Sequence, residues 1–190
     1  MLFRSDVQET VCAPVLDFML GDRHIHPLAA RPLHARYGAL DEPRLAGGIK
    51  VAFYPGCVGD KMYTEMSEAC LKVLRHHQVA VYMPSGLACC GIPALASGDA
   101  KGMLSQLRAN LRALAGGDFD YILSPCASCT ATIAEHWPAY ARRLSAAKAR
   151  EAAILGARAM DINAFLVDVL QVRPATTRSE ERRVGKECRS

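Results

Sequence analysis

No stretch of the chain reaches eighteen uninterrupted apolar residues, the length a helix needs to cross a bilayer. The first twenty residues, MLFRSDVQETVCAPVLDFML, carry Asp6, Glu9 and Asp17 and so lack the unbroken apolar centre of a secretory signal. A strong net charge is lacking: 23 Lys and Arg against 19 Asp and Glu give +4, and the basic residues are scattered. That balance gives no reason to invoke nucleic acid. These absences point to a cytoplasmic protein without a transmembrane segment. Its eight cysteines are then thiols first, because a reducing compartment favours metal ligation or redox chemistry over structural disulfides. No substrate pocket is evident in the sequence.

What is present is an apolar fraction of 51% in 190 residues, enough for a packed core. Residues 1–48 are broken by Pro27, Pro32 and Pro43 and end at Gly47-Gly48; they read as a short helix near 5–20 followed by an extended linker. His24, His26 and His34 lie in that linker without a fixed partner and read as surface residues; Cys12 is equally isolated. From residue 49 the pattern is strand then helix, three times: Ile49–Tyr54, Val79–Met83 and Asp120–Leu123 as strands, each closed by a proline. The helices follow with Met62, Met66, Ala69, Cys70, Val73 and Leu74 on one stripe, Leu104, Leu107, Leu111 and Leu114 on the next within 92–115, and a third starting near Cys126, with Pro138 interrupting it. The expected fold is α/β: a small three-stranded parallel sheet with covering helices, βαβαβα, plus helical or extended segments at both termini. Residues 146–173 read as helix, with Asp161 as a cap, closed by Pro174.

Five cysteines fall in the strand-to-helix loops: Cys57, Cys89 and Cys90 ahead of Gly91, and Cys126 and Cys129 in a CxxC. Ligands of open parallel sheets bind beyond the carboxyl ends of the strands, so the long sequence gaps are compatible with one shared crevice. Several thiolates together are anionic, and helix N-termini stabilise negative charge and lower thiol pKa values. Gly56, Gly59, Gly86 and Gly91 permit positive φ and a close backbone approach to a bulky inorganic centre. Adjacent Cys89 and Cys90 would point to opposite sides of a plain strand, and Gly91 supplies the bend that aims both inward. Ser128 and the loop amides are candidate donors to sulfur. These five cysteines are the candidate ligands of an iron–sulfur cluster or of a zinc ion.

Other readings stay open. A lone CxxC at a helix start suits a thiol–disulfide pair, although it leaves Cys57, Cys89 and Cys90 without a role. A zinc module for docking other subunits needs four sulfurs and leaves one over. Cys70 reads as core, His76-His77 as the end of a helix, His136 as packing or surface, and Lys61 as either a counter-charge or a solvated lysine.

In order and spacing, Cys57, Cys89-Cys90-Gly91, Cys126 and Cys129 resemble the cysteine-rich CCG domain over about residues 49–140. That family includes iron–sulfur subunits of glycolate oxidase, of L-lactate oxidation and of anaerobic glycerol-3-phosphate dehydrogenase, and a subunit of heterodisulfide reductase. Phe53-Tyr54-Pro55-Gly56-Cys57 and Cys89-Cys90-Gly91-Ile92-Pro93-Ala94 are most similar to the glycolate/lactate type. The resemblance implies electron transfer through a 4Fe-4S cluster, non-cubane in the heterodisulfide reductases, with zinc in some members. It implies a flavoprotein subunit that oxidises a 2-hydroxy acid, a quinone or disulfide as electron acceptor, and attachment to the inner face of the membrane through partners. The chain departs from the family in lacking the C-x-x-C-x-x-C-x-x-x-C-P module and in carrying one CCG motif rather than two. The expected organisation is a linker at 1–48, the CCG domain at 49–145, a helical lead-in to a second copy at 146–173 and a polar, foreign-looking tail at 174–190. That tail holds Cys188, which is left out of the site.

Overall fold

The structure, a computed structural model, describes residues 28–173. The expected helix near 5–20, Cys12, His24, His26 and the tail with Cys188 lie outside the described residues. The chain runs through α1 (Leu33–Tyr37), β1 (Leu40–Asp41), β2 (Lys50–Phe53), α2 (Gly56–Lys61), α3 (Thr64–His76) and β3 (Ala80–Met83). It continues with α4 (Ile92–Ala96), α5 (Ala100–Leu114), β4 (Tyr121–Ser124) and α6 (Ala127–Ala131), which passes through a π-helical turn (Thr132–His136) into α7 (Trp137–Ala141). The last elements are α8 (Ala146–Ala157), β5 (Ala159–Asp161), α9 (Ile162–Ala164) and a second π-helical turn (Phe165–Val169).

The α/β class is as expected, but the sheet has five strands rather than three, in the order β1-β3-β2-β4-β5. The parallel core β3-β2-β4 is the expected one. β1 adds an antiparallel edge beside β3, pairing Leu40 with Met83. β5 adds a parallel edge beside β4, pairing Leu123 with Met160. Residues 146–173 are therefore not continuous helix. Strands of two and three residues carry too little alternation to be read from sequence. Asp161 does cap the turn that follows, its carboxylate accepting from Asn163 N at 2.8 Å.

β2 is buried on both faces, as parallel strands between helical layers are. Side chains alternate across it. Val51 and Phe53 pack with Leu71, Leu74, Val81, Leu123 and Phe165 on one face. Ala52 and Tyr54 pack with Met103, Leu107, Leu111, Ile122, Ile133 and Trp137 on the other. Each such large side chain contributes roughly 1.5–3 kcal/mol on full burial, so the two layers fix the sheet between them. The helix expected over 92–115 is split at Gly98, whose φ of 78° no helix continues through. Asp99 restarts it by accepting from Gly102 N at 2.8 Å. Pro138 does not break its helix: the π-helical turn just before it absorbs the lost hydrogen bond, and Pro138 sits in the first turn of α7.

Candidate metal centre

β2, β3 and β4 are neighbours, and each ends at a proline that cannot continue the ladder: Pro55, Pro84 and Pro125. Their three outgoing loops therefore emerge side by side. Cys57 lies in the first turn of α2, Cys89 and Cys90 precede α4, and Cys126 and Cys129 flank the start of α6. All five sequence-predicted cysteines line one cavity of about 100 Å³, together with Pro55, Gly56, Ile92, Pro93 and Ser128. A water molecule's share of the liquid is about 30 Å³, so the space exceeds that of a single water.

The sulfurs form a string. Cys89 Sγ lies 3.5 Å from Cys57 Sγ. Cys89 also neighbours Cys90, Cys90 neighbours Cys129, and Cys129 neighbours Cys126. Among the described residues no three His, Cys, Asp or Glu side chains close tightly enough about one point to hold a single ion as they stand. The string surrounds a space instead of collapsing onto a point. Among the described residues no His, carboxylate or charged side chain lines it, so the donor set is purely soft and suits thiophilic metals.

Backbone geometry shapes the cradle. Gly56 has φ of 70°, and a Cβ there would stand 2.9 Å from Cys129 Sγ. Gly91, at φ 102°, makes the turn expected of it, and a Cβ there would run into Met103 Sδ. Gly59 differs from expectation: it is helical, and it is small because Ser67 packs against it and donates to its carbonyl at 2.9 Å.

The amides two residues on favour the ionised sulfurs: Gly91 that of Cys89, Ile92 that of Cys90, and Ser128 that of Cys126. The thiols consequently differ. The Cys129 thiol donates to Cys90 and brings it down to about 6, against the opposing effect of burial. As the donor of that bond, and buried, Cys129 is held up in turn. Burial, with Cys57 alongside, pushes Cys89 up to about 12. Burial also raises Cys126, but the Ser128 hydroxyl at 3.1 Å and the Cys129 and Ser128 amides outweigh it and leave it lowered.

Three buried side chains that the sequence did not single out as part of the site grip the Cys-Cys-Gly loop. Tyr54 donates to Ala88 O at 2.5 Å, Asn110 donates to Cys89 O at 2.9 Å and accepts from Ala88 N at 2.8 Å, and Trp137 Nε1 donates to Cys90 O at 2.9 Å. Asn110 left a signal: it is a polar residue on the stripe of α5 that otherwise buries Met103, Leu107, Leu111 and Leu114. Thr132, also buried, donates its hydroxyl to Ser128 O at 2.6 Å. Cys70 lies apart, packed against the core of the other face, where burial pushes its thiol up. His136 does not line the cavity. His34 pairs with Asp60 at 2.8 Å, and with Lys61 lines a larger neighbouring cavity of about 570 Å³ that shares Cys57 and Cys89. Gln106 Oε1 faces the same region, buried and without a hydrogen-bond partner. No helix among the described residues is long and apolar enough to cross a membrane.

A family model for the cysteine-rich CCG domain matches residues 51–134, which hold all five cysteines. The chain is 29% identical over 148 residues to a fumarate reductase (CoM/CoB) subunit of Methanothermobacter marburgensis, covering 76% of this chain and 27% of that protein. It is 32% identical over 133 residues to lactate utilization protein A of Geobacillus kaustophilus, covering 65% of this chain and 50% of that protein. An uncharacterized iron–sulfur protein of Methanocaldococcus jannaschii is 34% identical over 85 residues, covering 45% of this chain and 17% of that protein. The chain thus spans half or less of the length of these relatives. No solved structure matches it.

Proposed function

We propose, from the premise that residues 51–134 are a cysteine-rich CCG domain, that this chain binds an iron–sulfur cluster and passes electrons within a larger oxidoreductase. Cys57, Cys89, Cys90, Cys126 and Cys129 are its ligands in this reading. The observation that carries it is the string of five sulfurs around one cavity at the carboxyl ends of three adjacent strands. The names of the relatives point the same way: one is an iron–sulfur protein, one a reductase subunit and one a lactate utilization protein.

When bound, an iron–sulfur cluster takes up and releases single electrons at a potential set by charge, hydrogen bonds to sulfur and exposure. The chain's own residues do the rest. Five thiols supply the ligands, and those already lowered, Cys90 and Cys126, shed their protons most readily. The amides of Gly91, Ile92 and Ser128 and the Ser128 hydroxyl offset negative charge on sulfur. Ile92, Pro93 and Val58 keep the lining apolar. The finer reading is an electron-transferring part of a flavin-linked glycolate or lactate oxidoreductase, with a flavoprotein subunit upstream and a quinone or disulfide acceptor downstream.

Anaerobically prepared protein tests this. The expected result is a brown sample with iron and acid-labile sulfide in equal amounts. A colourless sample with one zinc per chain would replace the cluster with a structural zinc module. A metal-free sample whose thiol–disulfide activity survives Cys57→Ala would leave only the CxxC chemistry.

A further inference from the structure

The five sulfurs are not equally placed. Cys57 and Cys89 line both the cavity of about 100 Å³ and the neighbouring one of about 570 Å³, whereas Cys90, Cys126 and Cys129 line the smaller alone. Cys90 and Cys129 are also buried, at 1% and 4% exposure. Cavities of roughly 300–1,000 Å³ admit drug-sized molecules, so a reagent of that size has room against Cys57 and Cys89 that it lacks against the other three. The same two cysteines touch each other: their Sγ atoms stand 3.5 Å apart, against about 2.05 Å in a disulfide.

The chain itself holds this contact. Cys57 sits in the first turn of α2, behind Gly56 at φ of 70°. Cys89 is fixed from α5, where Asn110 accepts from Ala88 N at 2.8 Å and donates to Cys89 O at 2.9 Å. Tyr54, just past the end of β2, donates to Ala88 O and so ties the Cys89 loop to the strand that leads into Cys57. The CxxC is the pair that spacing alone selects for a disulfide, and it is placed otherwise. Cys129 is buried, and the Cys126 sulfur lies 3.1 Å from the Ser128 hydroxyl.

We propose that Cys57 and Cys89 are a redox modification site: in the metal-free protein a low-molecular-weight disulfide oxidises them to a reversible Cys57–Cys89 cross-link. One thiolate of the pair attacks the reagent, which releases one reagent thiol and leaves a mixed disulfide. The other thiolate attacks the protein sulfur of that bond and releases the second reagent thiol. Two protein thiols become one disulfide, one reagent disulfide becomes two thiols, and both protons end on the released thiols. The cross-link joins the loop after β2 to the loop after β3 and withdraws two of the five sulfurs from a metal. That consequence for loading rests on the reading of these cysteines as ligands; the cross-link does not.

The test equilibrates the whole chain, metal-free and without oxygen, in glutathione buffers of rising oxidised-to-reduced ratio, then alkylates it and maps its links by mass spectrometry. Cys57–Cys89 is expected to be the first link to appear, with Cys70 still alkylated, and dithiothreitol is expected to reverse it. Cys89→Ser is expected to abolish the link and Cys126→Ser to leave it. Because the link joins residues 32 apart in the chain, the linked form is expected to melt at a higher temperature than the reduced form. Cobalt(II), whose thiolate absorption reports ligation by sulfur, is expected to bind the linked form about tenfold more weakly or worse. A first link between Cys126 and Cys129, a link only between chains, or a linked form that melts lower overturns the inference. Unchanged cobalt binding overturns its consequence for loading. Should reduced protein bind no metal, the ligand reading falls, and the mapping still decides whether the cross-link forms.

Discussion

At the amino ends of the strands Arg44 bonds Asp118 at 3.1 Å and Asp120 at 2.5 Å, Asp120 accepts from Lys50 N at 3.0 Å, and Lys50 Nζ reaches Asp41 at 2.5 Å. At the carboxyl ends of the same strands the described lining holds five sulfurs and no charged side chain. One end of the sheet satisfies its polar groups internally, with ion pairs that complete themselves. The other brings together soft donors in a lining that offers their negative charge, once they ionise, amides and hydroxyls and no cation. Charge left to be neutralised from outside is the mark of a binding end. The comparison separates stability from function within a single sheet, and substitutions at the two ends should therefore fail differently.

The largest effect is expected from removing a central sulfur. Cys90→Ala or Cys129→Ala should reduce iron and sulfide per chain by about tenfold or more, in line with the ligand's part in metal binding, whereas Cys70→Ala should leave both unchanged; metal analysis of anaerobic preparations reads this. Next comes Gly91→Ala, which forces a side chain into φ of 102° against Met103. It should cost about 1–3 kcal/mol in thermal or denaturant unfolding of the metal-free protein and lower metal content as well, because the turn serves both packing and sulfur placement.

At the opposite end, Asp120→Asn should lower thermal stability slightly and leave metal content untouched. Burial pushes Asp120 up, but the Lys50 amide and the Arg44 guanidinium outweigh it and hold it below the usual carboxylate range. A carboxyl depressed in the folded state contributes stability above its unfolded pKa and loses it as pH falls through the folded value. The difference between wild type and Asp120→Asn should therefore shrink in acid, as melting curves across pH would record. The smallest effect is expected from Ser128→Ala. It removes the hydroxyl 3.1 Å from Cys126 Sγ, so the Cys126 thiol should rise and alkylate more slowly near neutral pH in the metal-free protein, with metal content retained.

The sequence was most legible where chemistry is carried by residue type and spacing. The three core strands announced themselves by β-branched and aromatic runs ending at prolines, and the cysteines by their position just beyond. Gly91 was legible because two neighbouring cysteines cannot share a side without a turn. The two short edge strands were not, since Leu40–Asp41 and Ala159–Asp161 are strands only because a neighbour offers an edge. The π-helical turn ahead of Trp137 was hidden for a related reason: an added residue in a helix changes no composition. Tyr54, Asn110 and Trp137 act on carbonyls 34, 21 and 47 residues away, and a backbone oxygen leaves no trace in a side-chain pattern. Side-chain chemistry is written locally, whereas what holds a backbone in place is written only in the fold.

Mass-spectrometric alkylation of anaerobically loaded protein, before and after chelation, tests most directly whether three loops share one centre. Cys57, Cys89, Cys90, Cys126 and Cys129 should be protected together and become reactive together when the metal is stripped, with Cys70 unaffected by the treatment. Protection confined to Cys126 and Cys129, with Cys57 reactive throughout, would contradict it.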